Sequence, residues 1–234
     1  MSKYKYILWD VDGTLLDFDY SQKISLFKCL KQIGVEGTDE LNEKYSAINH
    51  KWWKNLELGL VTKDELLNGR FTEFFDTVQI NCPDVEAFRK QYQYELGVNF
   101  CPVEHALEVC EHLKELGFLQ FVVTNGVSST QRTKLSLSGI DALMDGIFIS
   151  EELGNPKPNK AFFDACFNQI SLNNDDFNPE LCLIIGDSMS SDMVGGQNAG
   201  IDTCFFAPNA EEKEESVTYQ IKKLTDVYGV LGVR

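Results

Sequence analysis

No stretch of the 234-residue sequence approaches the roughly 20 consecutive apolar residues of a membrane span. The opening segment MSKYKYILWD lacks a long apolar run and a small-residue cleavage site, so no export signal is expected. Histidine is scarce: His50, His105 and His112 stand alone and form no cluster, which argues against an imidazole-built metal centre. Basic residues are in deficit, with 21 Lys and Arg against 36 Asp and Glu and a formal net charge of −15. Such a field repels polyanions, so neither a nucleic-acid polymer nor an anionic membrane surface is an expected partner. One small phosphate ester held in a locally positive site remains compatible with it. The seven cysteines (Cys29, Cys82, Cys101, Cys110, Cys166, Cys182 and Cys204) are odd in number, scattered, and form no Cys-x-x-Cys pair. Several lie in apolar runs, as Cys182 does in LCLIIG, and read as small core residues; reduced thiols and a cytoplasmic location are expected. With 43% hydrophobic and 24% charged residues the chain has the composition of a folded globular protein.

What is present is an alternation. Short continuous apolar runs at 6–9, 121–123, 147–149, 183–185 and 203–206 have the look of parallel strands covered on both faces. Amphipathic stretches at 103–116, 128–138, 159–169 and 190–199 lie between or beside them, several ending at a glycine. Repeated strand–helix units predict an α/β fold with a doubly wound, parallel, Rossmann-like sheet. Residues 17–98 break the rhythm, with four helical stretches (20–33, 38–57, 62–77 and 84–96) and no convincing strand. They read as a helical domain inserted into a core made of 1–16 and 99–234. The run Glu211-Glu212-Lys213-Glu214-Glu215 reads as a solvated loop or helix start.

Four polar sites sit just past apolar runs. Asp10 and Asp12 follow YILW, Thr124-Asn125-Gly126 follows FVV, Asp187 follows LIIG, and Lys157 lies in Asn155-Pro156-Lys157-Pro158 beyond the run at 147–149. In a parallel sheet all of these fall at the carboxyl edge, where α/β folds bind ligands. Asp10 and Asp12, two apart in extended chain, point the same way, and their mutual repulsion is relieved by a cation. Asp187 and Asp192 add oxygen ligands, a donor set suited to Mg²⁺ rather than zinc. Singly, each feature has a plainer explanation: an aspartate at a strand end commonly caps a loop, Thr-Asn-Gly makes a turn, and a lysine between prolines lies on the surface. Four together in this order do not.

Asp10-Val11-Asp12-Gly13-Thr14, Thr124-Asn125, Lys157 and Gly186-Asp187-Ser188-Met189-Ser190-Ser191-Asp192 resemble, in order, the four motifs of the haloacid dehalogenase-like (HAD) hydrolases, and the helical insert resembles that family's C1-type cap. The resemblance implies that Asp10 is the nucleophile forming an aspartyl-phosphate, and that Asp12 protonates the leaving alkoxide and then activates water. It implies Mg²⁺ held by the Asp10 carboxylate, the Asp12 main-chain carbonyl and Asp187, with Asp192 as ligand or anchor of metal-bound water. Thr124, Asn125 and Lys157 would hold the phosphoryl oxygens. Dehalogenases of the family lack an acid two residues after the nucleophile, so Asp12 points away from dehalogenation.

The substrate is read from the insert. Asn49-His50-Lys51-Trp52-Trp53, Gly69-Arg70-Phe71 and, outside it, Ile149–Gly154, together with Asp17-Phe18-Asp19, resemble bacterial pyrimidine 5′-nucleotidases of the family. That implies hydrolysis of a pyrimidine nucleoside 5′-monophosphate, with Phe18, Asn49, Trp53 and Arg70 as candidate base contacts. Packing of the tryptophans and Phe71 in the insert's own core is the plainer alternative. A phosphatase of phosphoglycolate or sugar phosphates, and a non-catalytic phosphate-binding protein on the same scaffold, stay open. The insert is expected to open and close about 17–20 and 97–102, and the protein to be a monomer or weak homodimer.

Overall fold

In the computed structural model residues 2–233 are described, and the chain divides into two compact units, Met1–Asp17 with Cys101–Arg234 and, inserted between them, Phe18–Phe100. The first begins with β1 (Tyr6–Trp9), and the second holds α1 (Phe18–Gln32), α2 (Asp39–Glu57), α3 (Lys63–Val78) and α4 (Val85–Val98). The chain then returns to the first unit with α5 (Ala106–Glu115), β2 (Leu119–Thr124), α6 (Ser128–Ser138), β3 (Gly146–Ile149), α7 (Ser150–Leu153) and α8 (Lys160–Ser171). It closes with β4 (Cys182–Gly186), α9 (Val194–Ala199), β5 (Asp202–Phe206), β6 (Tyr219–Ile221) and α10 (Val227–Leu231).

The six strands form one parallel sheet in the order β3-β2-β1-β4-β5-β6, an α/β doubly wound arrangement. The apolar runs form strands because both faces are covered: Tyr6, Ile7, Leu8 and Trp9 are all fully buried. On one face Tyr6, Leu8, Phe121, Val123 and Ile184 pack with Phe162, Phe163 and Cys166 of α8. On the other, Trp9 donates its indole N–H to Gln120 at 3.0 Å, and Gln120 in turn donates to the Cys110 carbonyl of α5 at 2.7 Å. A polar residue in a central strand is thereby satisfied on both of its amide atoms. The sixth strand, β6, lies beyond the five runs legible in the sequence.

The helical unit is built on aromatics. Tyr45 stacks on Phe71 with ring centroids 5.2 Å apart, and Phe74, Phe75, Phe88 and Tyr92 close around them. Its helices start where the sequence supplies caps. Thr38 accepts from Leu41 N–H, Thr62 and Glu65 form a reciprocal capping box, and Asp84 accepts from Ala87 N–H. No helix among the described residues is long and apolar enough to cross a membrane. Glu211–Glu215 is loop, largely exposed.

Candidate active site

Because β1, β2 and β4 are adjacent and parallel, the loops leaving their carboxyl ends meet. Asp10 follows Trp9 directly; its N–H donates to the Ile185 carbonyl at 2.9 Å, which continues the β1–β4 ladder one step and fixes where the side chain emerges. Asp187 is the first residue past β4, and Asp192 sits in a single π-helical turn, Met189–Met193, before α9. That turn is held from inside, since Ser188 Oγ accepts from Ser191 N–H and Ser188 N–H donates to Asp192 Oδ2 at 3.1 Å. Such widened turns recur at functional sites because they re-aim one side chain without ending the helix.

One carboxylate oxygen from each of Asp10, Asp187 and Asp192 lies within 4.8 Å of the other two. Lys157 reaches the same place from the loop before α8. Its ammonium donates to Asp10 Oδ1 at 2.7 Å, Asp192 Oδ1 at 2.7 Å and the Val123 carbonyl at 2.6 Å, and the residue is 1% exposed. All three of its protons therefore have acceptors. Asn125 holds the Lys157 backbone from both sides: Lys157 N–H donates to Asn125 Oδ1 at 2.8 Å, and Asn125 Nδ2 donates to the Lys157 carbonyl at 2.9 Å. Thr124, 1% exposed, accepts from Gly126 N–H on its hydroxyl. Thr14 donates to Asp187 Oδ1 at 3.2 Å. Gly13 has φ +96°, and a Cβ there would lie 2.4 Å from Asp187 Oδ2, so a glycine is needed for the two loops to approach.

The electrostatics follow from this crowding. Burial pushes the Asp10 carboxyl up to about 7, with Asp192 and Asp12 adding to the rise and Lys157 opposing it. Asp187 is exposed at the mouth of the cluster, yet its carboxyl is raised to about 8 by partial loss of hydration and then by the charges of Asp10 and Asp192. Burial works against the Lys157 charge, but the Asp10 and Asp192 carboxylates more than offset it and hold the ammonium above its usual value. When all three are ionised, three carboxylates against one ammonium leave a surplus of two negative charges among oxygen donors, with no nitrogen or sulfur ligand in the group. That donor set fits a divalent, oxygen-seeking cation such as Mg²⁺.

The Asp12 side chain stands apart from this cluster. Its Oδ1 is paired with the Lys134 ammonium and its Oδ2 accepts from Gln131 Nε2 at 2.6 Å, so both side-chain oxygens are turned toward α6 and the expected metal role falls to the main-chain carbonyl. Gln131 and Lys134 were not among the residues singled out from the sequence. They sit on α6, whose polar composition reads as a solvated helix, yet they are 1% and 4% exposed. Their spacing of three, one helical turn, directly after the Thr124-Asn125 loop, is the only signal the sequence carries.

The remaining candidates belong to the helical unit. Arg70 donates from NH1 to Asn49 Oδ1 at 2.6 Å, and Asn49 Nδ2 donates to Gln22 at 3.1 Å; Asn49 and Arg70 are buried. Phe18 packs against that unit's aromatic core, and the half-buried Trp53 ring lies 4.8 Å from the Lys63 ammonium. Neighbouring Trp52 lies over Gly69 and donates to Glu73 at 2.9 Å.

A family model described as haloacid dehalogenase-like hydrolase matches residues 4–200. The chain is 33% identical over 230 residues to the pyrimidine 5′-nucleotidase PynA of Streptococcus pneumoniae, covering 97% of this chain and 95% of that protein. It is 28% identical over 235 residues to the pyrimidine 5′-nucleotidase YjjG of Escherichia coli, covering 98% of each. Among solved structures, the magnesium-bound HAD-hydrolase YfnB of Bacillus subtilis, for which interdomain movement is described, superposes with a TM-score of 0.90 at 33% identity, covering 98% of this chain and 99% of that one.

Proposed function

Since the chain belongs to the haloacid dehalogenase-like hydrolase family, we propose that it is a Mg²⁺-dependent phosphomonoesterase whose substrate is a pyrimidine nucleoside 5′-monophosphate. The observation that carries the reaction type is the convergence of Asp10, Asp187, Asp192 and Lys157 at one sheet edge with two negative charges in surplus. The substrate class rests on the two pyrimidine 5′-nucleotidases matched along nearly their whole length, and the cation also on the magnesium-bound relative. The inserted helical unit is read as the family's cap.

In this reading Lys157 fixes the Asp10 carboxylate through Oδ1 and presents it to phosphorus. The Asp10 oxygen forms a bond to phosphorus as the ester P–O bond breaks, and Asp12 gives its proton to the departing alkoxide. Asp12 then takes a proton from water, whose oxygen attacks the aspartyl-phosphate and releases inorganic phosphate and the Asp10 carboxylate. Asp10, Asp187 and the Asp12 carbonyl would hold Mg²⁺, with Asp192 binding or orienting its waters; bound there, the cation screens the anionic nucleophile from the anionic ester. The Lys157 ammonium, by exchanging one of its present acceptors, would join the Thr124 hydroxyl and the Asn125 N–H in holding the phosphoryl oxygens as charge builds.

The test is phosphate release from a panel of phosphate esters with Mg²⁺, using Asp10→Asn as the blank. Preference for UMP, dUMP or dTMP supports the reading. Preference for phosphoglycolate or a sugar phosphate keeps the chemistry and overturns the substrate, and silence across the panel overturns both.

A further inference from the structure

The four motifs account for every acidic residue of the site but not for what holds Asp12. We infer that Gln131 and Lys134 are positioning residues that grip the Asp12 carboxylate for its work on the leaving group, an inference that rests on the phosphatase reading above.

Both come from α6 one turn apart, so their side chains leave the same face. Each takes one oxygen: Lys134 pairs with Oδ1, and Gln131 donates to Oδ2 at 2.6 Å. Two donors on two oxygens fix the plane of the carboxylate as well as its position. Each oxygen still has a second lone pair, so the grip leaves room for the proton that Asp12 passes to the alkoxide.

Packing does not explain these residues. Positions exposed only 1% and 4% on the inner face of a helix would be filled at lower cost by leucine, since burying an ammonium is favourable only when it is paired. Gln131 Oε1 is buried with no partner among the described residues, so the amide is oriented by its Asp12 contact rather than by satisfying itself. Backbone has been cleared for it as well. A Cβ on Gly126 would lie 1.9 Å from Gln131 Nε2, so the glycine after Thr124-Asn125 keeps open the path along which Gln131 reaches Asp12.

The helix that carries the pair is itself anchored. Glu151 of α7 accepts from Ser128 N–H at 2.6 Å, at the first turn of α6. Glu152 accepts from Ser128 Oγ and binds Arg132 through both of its oxygens, at 2.8 and 2.6 Å. Two fixed points one turn apart set the rotation of α6 about its axis, and with it the direction of Gln131 and Lys134.

The experiment separates positioning from mere structure by leaving group. A nucleoside alkoxide needs the Asp12 proton to depart, whereas p-nitrophenolate departs without it. Gln131→Met, Lys134→Met and Lys134→Arg are prepared in the full chain with Mg²⁺, their folding is compared by thermal melting, and release of the first leaving group from UMP and from p-nitrophenyl phosphate is followed by rapid mixing. Loss of the grip is expected to slow uridine release on the order of 10²-fold, the low end of what a placed acid contributes. The p-nitrophenolate burst should change less than about threefold, KM for both esters should hold, and Lys134→Arg should recover part of the loss. Parallel loss on the two esters, or no loss on either, overturns the positioning role. Should Lys134→Met fold poorly, the ratio of the two rates in Gln131→Met decides by the same criterion. A wild-type protein inert toward both esters overturns the phosphatase reading itself, a result distinct from either of these.

Discussion

Lys157 in the sheet-bearing unit and Arg70 in the helical unit are both cations buried to 1% exposure, yet their surroundings have little in common. Lys157 spends its three protons on two carboxylates and a carbonyl, and a third carboxylate stands beside them. Among the described residues Arg70 makes one hydrogen bond, to Asn49, and its Nε and second terminal nitrogen have no partner; its neighbours include the rings of Phe71 and Tyr92, whose centroids lie 5.0 and 5.5 Å from the guanidinium carbon. The first cation is over-compensated, and the charge surplus is relieved either by protons retained on Asp10 and Asp187 or by an added dication. The second has no carboxylate within ion-pair distance among the described residues and rests on an amide and aromatic faces, an arrangement weakly hydrated guanidinium tolerates and ammonium does not. Burial of a charge therefore goes with a carboxylate surplus in one unit and with aromatic packing in the other. What distinguishes them is the surplus, not the burial.

The largest effect is expected at Asp10, beside the first of these cations. Asp10→Asn should lower phosphate release on the order of 10⁴-fold, the scale seen when a covalent nucleophile is removed, and steady-state assays check it; residual activity near wild type would strip the surplus of its chemical meaning. Next comes stability. Lys157→Met leaves the carboxylate cluster without its counter-ion and should cost about 3–5 kcal/mol in denaturant unfolding. Arg70→Met removes a charge that no carboxylate needs and should cost about 1–2 kcal/mol, mainly from the Asn49 oxygen left short of a donor. Equal losses would erase the distinction drawn here.

A subtler effect is the response to pH. Ordinary aspartates titrate near about 3.9, whereas Asp10 and Asp187 are held at about 7 and about 8 in the fold. The native state thus keeps more protons than the unfolded chain over that span. Stability from this source is present in full below the ordinary value and is lost as pH rises toward 7 and 8. In chelator, Tm should fall across that window, and the increment in Tm on adding Mg²⁺ should be larger at pH 8 than at pH 5; equal increments would contradict it. The smallest change is expected at Arg132, half exposed and paired with Glu152. Arg132→Met should cost under about 1 kcal/mol, setting the baseline for a charge in water, and a larger loss in thermal unfolding would show that α6 leans on this pair more than exposure suggests.

The sheet was legible because buried parallel strands are continuous apolar runs. The run 6–9 coincides with β1, and the others fall inside β2 to β5. Tyr219–Ile221 was not, since three residues with a polar centre at the sheet edge carry no run to see. The helix expected over 190–199 is a π turn followed by α9, because Met193 N–H reaches five residues back to the Ser188 carbonyl while Asp192 Oδ2 accepts from Ser188 N–H, a choice made by hydrogen bonds that periodicity does not encode. Asp10, Lys157, Asp187 and Asp192 converge because each stands just past a strand or in the loop that follows one. Gln131 and Lys134 were illegible for the opposite reason. They are polar residues on a polar helix, and only the arrival of Asp12 from a distant part of the chain turns that polarity inward.

The central place of β1 in the sheet has a consequence for how the chain acquires its chemistry. Tyr6 pairs with Leu119 on one side and with Cys182 on the other, so the strand that delivers Asp10 is the first in the chain, and its two neighbours lie more than a hundred residues further on. Closing those two long loops sets the pace of assembly. During synthesis Asp10 and Asp12 leave the ribosome well before Lys157, Asp187 and Asp192 exist. Asp10 therefore spends the growth of the chain without the Lys157 ammonium or the carboxylates that cluster with it, and the cluster comes together only once β4 has docked.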